Sequence, residues 1–130
     1  MIVIDASTAL EVLLQTPAAA AIEDRLFRAG ETFHAPHLID LEVAQVLRRY
    51  VATGQIAATR GDDALDDWLS FTVHRYAHEP LVKRIWEMRN KLTAYDGAYL
   101  ALAEVLDAPL LTRDSRLARS SGHIALIELV

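Results

Sequence analysis

Short apolar runs alternate along the chain with longer segments of helical periodicity. The opening Ile2-Val3-Ile4 run is apolar and β-branched throughout, which is typical of a strand buried in a parallel sheet. From Pro36 to about Thr53, apolar side chains recur at helical spacing until Gly54 ends the pattern. The whole pattern predicts strands at 2–4, 32–35, 109–112 and 124–129, a short strand or extended connector at 71–78, and helices at 8–14, 18–28, 36–53, 59–69, 80–91, 94–106 and 115–119.

This alternation of short strands and long helices predicts an α/β fold. Strands separated by helices form a parallel sheet with helices covering both of its faces. The chain has 130 residues and shows no repeat, no low-complexity segment and no linker, so we expect residues 1–130 to form a single domain.

Composition narrows the function classes. The chain has no cysteine, which excludes disulfides and thiolate metal sites, and its net charge of −5 is unusual for a general nucleic-acid binder. Acidic residues that hold cations would, however, lower the net charge without repelling an anionic substrate. No basic leader precedes Asp5, and no apolar run approaches the roughly 20 residues that span a bilayer. We therefore expect a cytoplasmic protein without a membrane segment.

Two aspartates follow predicted strands. Asp5 comes directly after the first strand, and Asp114 lies two residues after Thr112. Ligands of open parallel sheets bind at the carboxyl ends of the strands, so topology places both carboxylates at the same edge. Glu42, beside the apolar stripe of its helix, and Asp96, at the start of another helix, are further candidates.

Local structure offers an alternative role for most of these acids. Glu42 could lie on the flank of its helix and pair with Arg49 or Gln45, since flank glutamates are common. Asp96 fits the third position of a capping box that begins at Thr93. Asp114 fits a turn or helix N-cap. Only Asp5 has no neighbour in sequence that would neutralise it.

Four carboxylates gathered at one sheet edge would repel one another, and a hard divalent cation resolves that conflict. Mg²⁺ and Mn²⁺ prefer oxygen ligands, and such ions polarise phosphoryl oxygens and activate water. The pattern therefore favours phosphodiester hydrolysis. Other sites are poorly supported: the chain has no HExxH pair, no glycine-rich phosphate loop and no GxSxG elbow.

Four segments together resemble a known family. They are VIDAS at 3–7, PHLIDLEVAQVL at 36–47, TAYDGAYLALA at 93–103 and LLTRDSRL at 110–117. The sequence is similar to PIN-domain proteins over essentially its whole length, and among them to VapC toxins of type II toxin–antitoxin systems.

The resemblance implies a three-layer α/β/α sandwich around a central parallel sheet. It also implies Mg²⁺, or Mn²⁺, held by Asp5, Glu42, Asp96 and Asp114. The implied activity is cleavage of structured RNA such as tRNA or rRNA. The implied partners are a cognate VapB-type antitoxin and a second copy of the chain in a homodimer.

Residues around the four acids follow from the same resemblance. Ser7 and Thr112 match polar positions that line the family's site. Many relatives carry a further acid or asparagine shortly after the last aspartate, where this chain has Ser115 and Arg116, so the number of metal ions stays open. Arg116 could contact phosphate instead.

Basic residues near the acids are candidates for RNA contacts. They are Arg113, Arg116, Arg119, Arg89 and Lys91. Their grouping favours phosphate binding, although basic residues at helical spacing also form ordinary solvated surfaces.

Two other functions remain open at this level. A haloacid-dehalogenase-like phosphatase also has an aspartate after its first strand, but it needs a second one two residues later, where this chain has Ser7. The chain could also be a non-catalytic PIN-like binding module that keeps its acids for structural reasons.

Overall fold

The computed structural model describes residues 1–130 and is built around a five-stranded parallel sheet in the order β3-β2-β1-β4-β5. This confirms the predicted α/β class. The elements are β1 Ile2–Ile4, α1 Ala6–Leu13, α2 Ala19–Leu26, β2 Phe33–Pro36, α3 Ile39–Ala52, α4 Ala58–Ser70, β3 His74–Tyr76, a 3₁₀ turn at Glu79–Leu81, α5 Val82–Glu87, α6 Ala94–Leu106, β4 Leu110–Thr112, α7 Ser115–Ala118 and β5 Ile127–Leu129.

The central strands are fully buried. The side chains of β1 and the first two of β4 expose none of their surface, because helices flank the sheet. Helix α6 packs on β1, β2 and β4, while α1 packs against α2, α3 and α4. Strand β1 pairs with β2 and with β4, so the residues that follow β1 and β4 meet at the carboxyl edge of the sheet. No helix is both long and apolar enough to cross a membrane.

The predicted start of the long helix is wrong. Pro36 is the last residue of β2, in register with Tyr76 of β3, and α3 begins only at Ile39. The next residue, His37, donates its N–H to the Tyr76 carbonyl at 2.9 Å. A proline suits both the first turn of a helix and the end of a strand, and here pairing with a distant strand decides between them.

Other boundaries shift for local reasons. Helix α1 begins two residues earlier than predicted because Asp5 caps it. The helix expected at 80–91 is a 3₁₀ turn followed by the short α5, and turns through residues 88–92 lead into α6. The side chains of Met88 and Leu92 are buried in these turns. Strand β5 is half as long as predicted, since Ile124 is 87% exposed and unpaired.

Candidate active site

A cleft of about 370 Å³ lies at the carboxyl edge of the sheet and contains all four predicted acids. They reach it from four separate places: the end of β1, helix α3, the first turn of α6 and the residue before α7. The cleft is lined by Asp5, Ala6, Ser7, Leu10, Glu11, Leu14, Thr16, Glu42, Val46, Arg49, Tyr50, Asp96, Tyr99, Asp114 and Leu117.

Asp5 is the most buried of the four, with 7% of its surface exposed. Its Oδ1 accepts hydrogen bonds from the Thr8 N–H at 2.9 Å and the Ser7 hydroxyl at 2.6 Å, and its Oδ2 accepts from the Thr112 hydroxyl. Asp5 is therefore also the N-cap of α1, a structural role that the sequence did not indicate. Burial raises the pKa of Asp5, and these hydrogen bonds oppose that shift only in part.

Glu42 is half-buried and is bound by a side chain that sequence reasoning missed. The Tyr99 hydroxyl donates to Glu42 Oε1 at 2.6 Å. The alternative role of Glu42, a flank residue paired with Arg49 or Gln45, is not observed: it makes neither an ion pair with Arg49 nor a hydrogen bond with Gln45. Burial raises the pKa of Glu42, and the nearby charges of Asp5 and Asp96 add to the shift.

The other two acids are joined by one guanidinium. Asp96 is in the first turn of α6, where its N–H donates to the Thr93 hydroxyl at 3.2 Å, and Asp114 caps α7. Arg116 Nη2 donates to Asp96 Oδ2 at 3.0 Å and to Asp114 Oδ2 at 3.1 Å. Asp114 caps its helix as the sequence indicated, but only half of the predicted capping box forms: Thr93 accepts the Asp96 N–H, whereas the Asp96 carboxylate binds Arg116 instead of the Thr93 N–H. Both carboxylates also line the cleft. An arginine therefore supplies positive charge between two of the candidate metal ligands.

Two hydroxyls fix the geometry between β1 and β4. The Thr112 hydroxyl oxygen accepts the Asp114 N–H at 3.0 Å, besides donating to Asp5. The Ser7 hydroxyl oxygen accepts the Arg113 N–H at 3.0 Å. Ser7 and Thr112 thus link Asp5 to the turn that carries Asp114. Both residues lie beside the acids, where the sequence predicted them.

The donor set of the cleft suits a hard divalent cation. It consists of carboxylate and hydroxyl oxygens, the ligands that Mg²⁺ and Mn²⁺ prefer. No three His, Asp or Glu side chains are grouped tightly enough to ligate one ion directly. Magnesium typically takes one or two carboxylates and keeps several waters, so a close cage of three is not required. Burial raises the pKa values of Asp5 and Glu42 because it disfavours their charged forms. A cation bound beside them would stabilise those charged forms.

The predicted basic residues lie around the cleft rather than in it. The Arg113 guanidinium donates to the Val130 carbonyl and pairs with Glu11 at 3.5 Å. The Arg89 guanidinium lies 4.8 Å from the centre of the Trp86 ring. The exposed Lys91 and Arg119, like these two, do not line the cleft.

Two of the cleft residues that the sequence did not indicate as part of the site are Tyr99 and Arg49. Tyr99 follows Asp96 by three positions and Arg49 follows Glu42 by seven, so each shares a helix face with a predicted acid. This helical spacing from a predicted acid is the sequence feature that could have identified both residues.

Comparison with known proteins identifies the family. The PIN domain model matches residues 2–122. Ribonuclease VapC12 of Mycobacterium tuberculosis is 47% identical over 100% of this chain and 99% of its own length. The chain belongs to the VapC ribonucleases of the PIN domain family. Ribonuclease VapC9 of the same species is 45% identical over 91% of this chain and 89% of its own.

Solved PIN-type structures share the fold at low sequence identity. PAE2754 from Pyrobaculum aerophilum covers 99% of this chain and 83% of its own with a TM-score of 0.70 at 23% identity. VapBC2 from Rickettsia felis, solved bound to a DNA fragment from its promoter, covers 98% of both chains with a TM-score of 0.70 at 14% identity. These likenesses support the sandwich of helices around a parallel sheet that the sequence resemblance implied.

Proposed function

We propose that this VapC chain is the toxin of a toxin–antitoxin pair and cleaves structured RNA, tRNA or rRNA, as an Mg²⁺-dependent endoribonuclease that also accepts Mn²⁺. One observation carries the proposal: carboxylates from four separate elements line one cleft at the carboxyl edge of the sheet. We also propose that the protein acts in the cytoplasm, on RNA within the cell.

The chain's residues have distinct roles in this proposal. Asp5, Glu42, Asp96 and Asp114 would hold the ion or ions. A bound divalent cation polarises the phosphoryl oxygen and lowers the pKa of water enough for attack in line with the leaving oxygen. Tyr99 positions Glu42 by donating to it, and Ser7 and Thr112 hold Asp5.

The first test is Asp5→Asn. The amide keeps an acceptor for the Thr8 N–H and removes a charge that burial disfavours, although its NH2 group replaces the Oδ2 that accepts from Thr112. We therefore expect a folded protein in which RNA cleavage is abolished. Sequencing of RNA 5′ ends after expression of each protein measures this. Asp63→Asn, at an exposed acid of α4 outside the cleft, is the matched control and should cleave normally.

Metal dependence has a readout that is independent of RNA. At 100 times its dissociation constant, an ion that binds only the folded state adds about 2.7 kcal/mol to the free energy of unfolding. Mn²⁺ should therefore raise the melting temperature of the native protein and not that of Asp5→Asn. An equal rise in both proteins, or full cleavage in EDTA, contradicts a metal-dependent nuclease and favours a non-catalytic binding module.

Membership of the VapC ribonucleases decides against the phosphatase alternative. The residue two positions after Asp5 is Ser7, whose hydroxyl is engaged with Asp5 and the Arg113 N–H. A second aspartate, which that class of phosphatase requires, is therefore missing from this site.

The proposed partners follow from the family. The Rickettsia felis protein that shares the fold was solved as VapBC2. We propose a VapB-type antitoxin and a homodimer for this chain. Co-expression with candidate antitoxins should suppress the growth defect caused by the toxin, and light scattering of the purified protein measures its mass.

A further inference from the structure

The cleft has one basic residue in its lining, and it lies seven residues after Glu42 on the same helix. Of the side chains that line the cleft, five are acidic and only Arg49 is basic. Bound cations would neutralise the acids at the carboxyl edge of the sheet. An RNA strand that extends beyond those ions meets Arg49 as the only fixed positive charge of the lining.

Helix α3 connects this charge to the acidic end. Glu42, Val46 and Arg49 are spaced four and three residues apart, so they lie on one face of the helix. Seven residues correspond to a rise of about 10 Å along the helix axis. The apolar part of the lining includes Leu10, Leu14 and Val46. A surface of this kind suits a ribose or a base rather than a phosphate.

Arg49 is free to bind an anion, unlike the other arginines near the cleft. Its side chain is exposed and forms neither an ion pair nor a hydrogen bond, and its guanidinium lies 5.6 Å from the centre of the Tyr50 ring. Arg116 is held by Asp96 and Asp114, and Arg113 by Glu11. The acid that shares the cleft wall, Glu11, is thus already paired with another arginine and does not neutralise Arg49.

We infer that Arg49 binds a backbone phosphate of the RNA strand on one side of the scissile bond. The inference rests on the proposed ribonuclease function. Arginine matches phosphate oxygens with paired N–H donors. Arg49 would position substrate without touching the reacting atoms, so it is a positioning residue.

Binding without cleavage tests this directly. With Asp5 intact and Ca²⁺ in place of Mg²⁺, so that a cation neutralises the acids while cleavage is slowed, a fluorescein-labelled oligouridine of about 12 nucleotides reports binding by anisotropy. We expect Arg49→Ala to weaken binding roughly tenfold at low salt, the equivalent of one charge-assisted contact. The slope of log affinity against log salt should fall by about 0.7, as expected for the loss of one phosphate contact on a single strand. Arg49→Lys should recover most of the slope.

Arg48→Ala is the matched control. Arg48 is the neighbouring exposed arginine of α3, but it lies on the face toward α4 and outside the cleft. Its loss should leave the affinity and the salt slope nearly unchanged. An Arg49→Ala protein that behaves like Arg48→Ala overturns the inference.

Kinetics separate this inference from the proposed function. With unfractionated tRNA as substrate, Arg49→Ala alone should raise KM several-fold, leave kcat nearly unchanged and keep the Mn²⁺-dependent rise in melting temperature. If the native protein shows neither RNA cleavage nor the rise in melting temperature with Mn²⁺, the proposed function itself is wrong. If the native protein shows both, and Arg49→Ala loses only binding to the antitoxin, Arg49 contacts a protein partner and the inferred RNA contact is wrong.

Discussion

The hydrogen bond from Tyr99 to Glu42 should make a measurable contribution to the stability of the protein, and Tyr99→Phe removes it. The Tyr99 side chain is buried, and its hydroxyl donates to a carboxylate at 2.6 Å. Hydrogen bonds to charged groups contribute about 1.5–3 kcal/mol. Because Glu42 faces the cleft, water can replace the lost donor, so we expect the lower end, about 1.5 kcal/mol. In a domain of this size, that corresponds to a melting temperature lower by roughly 5 °C.

The assay is urea denaturation of the metal-free protein in EDTA at neutral pH. A double-mutant cycle of Tyr99→Phe with Glu42→Gln isolates the pairwise interaction, and we expect a coupling of about 1 kcal/mol between these contacting residues. Tyr95→Phe is the matched control: its ring is 68% exposed and its hydroxyl makes no hydrogen bond. That change should stay within about 0.5 kcal/mol of the native value.

The same variant has a functional signature. If the bond orients Glu42 as a metal ligand, Tyr99→Phe should cleave RNA slowly at limiting Mg²⁺ and recover at saturating Mg²⁺. Equal stabilities for Tyr99→Phe and Tyr95→Phe, together with a coupling near zero, would refute the reasoning. A loss of activity that no Mg²⁺ concentration restores would refute the role in metal binding.

Two further predictions concern charge. Arg116→Ala removes the guanidinium that bridges two of the candidate metal ligands, so Mn²⁺ should bind the RNA-free protein more tightly, as measured by calorimetry. Arg119→Ala is the control. Binding to Arg116→Ala that is no tighter than binding to the control contradicts competition between arginine and metal. Burial and the neighbouring charge of His74 lower the pKa of His34 below its usual 6.5. The unfolded chain therefore takes up this proton more readily, and the free energy of unfolding should decrease as pH is lowered from about 7.5 to 5.5. His34→Gln should flatten this pH dependence, and an unaltered slope in urea titrations would count against it.

Sequence predicted best those elements whose signals are local. Helix α6 has the predicted boundaries, since Thr93 caps it and apolar residues follow at helical spacing. Strand β1 was recognisable from three buried apolar residues. Pro36 was assigned to a helix because its true position depends on a distant strand. It pairs with Tyr76, 40 residues further along the chain, in the register of β2 and β3. Local pattern does not contain that information.

The candidate site divides in the same way. Strand-end topology brought Asp5 and Asp114 together correctly, helix positions made Glu42 and Asp96 candidates, and the family resemblance joined the four. Contacts between side chains of distant elements could not be predicted from the sequence. The Tyr99 bond to Glu42 depends on how α6 is rotated against α3, and no periodicity within either helix determines that orientation.

The tie between Asp5 and Thr112 joins residues 107 positions apart in the chain. During synthesis, the first acid of the cleft is therefore made 107 residues before the threonine that holds it in place. A nascent or truncated chain that lacks β4 and Asp114 has no complete cleft, whatever helices it has already formed. A ribosome making this nuclease is consequently not exposed to an active enzyme until β4 and Asp114 have been synthesised.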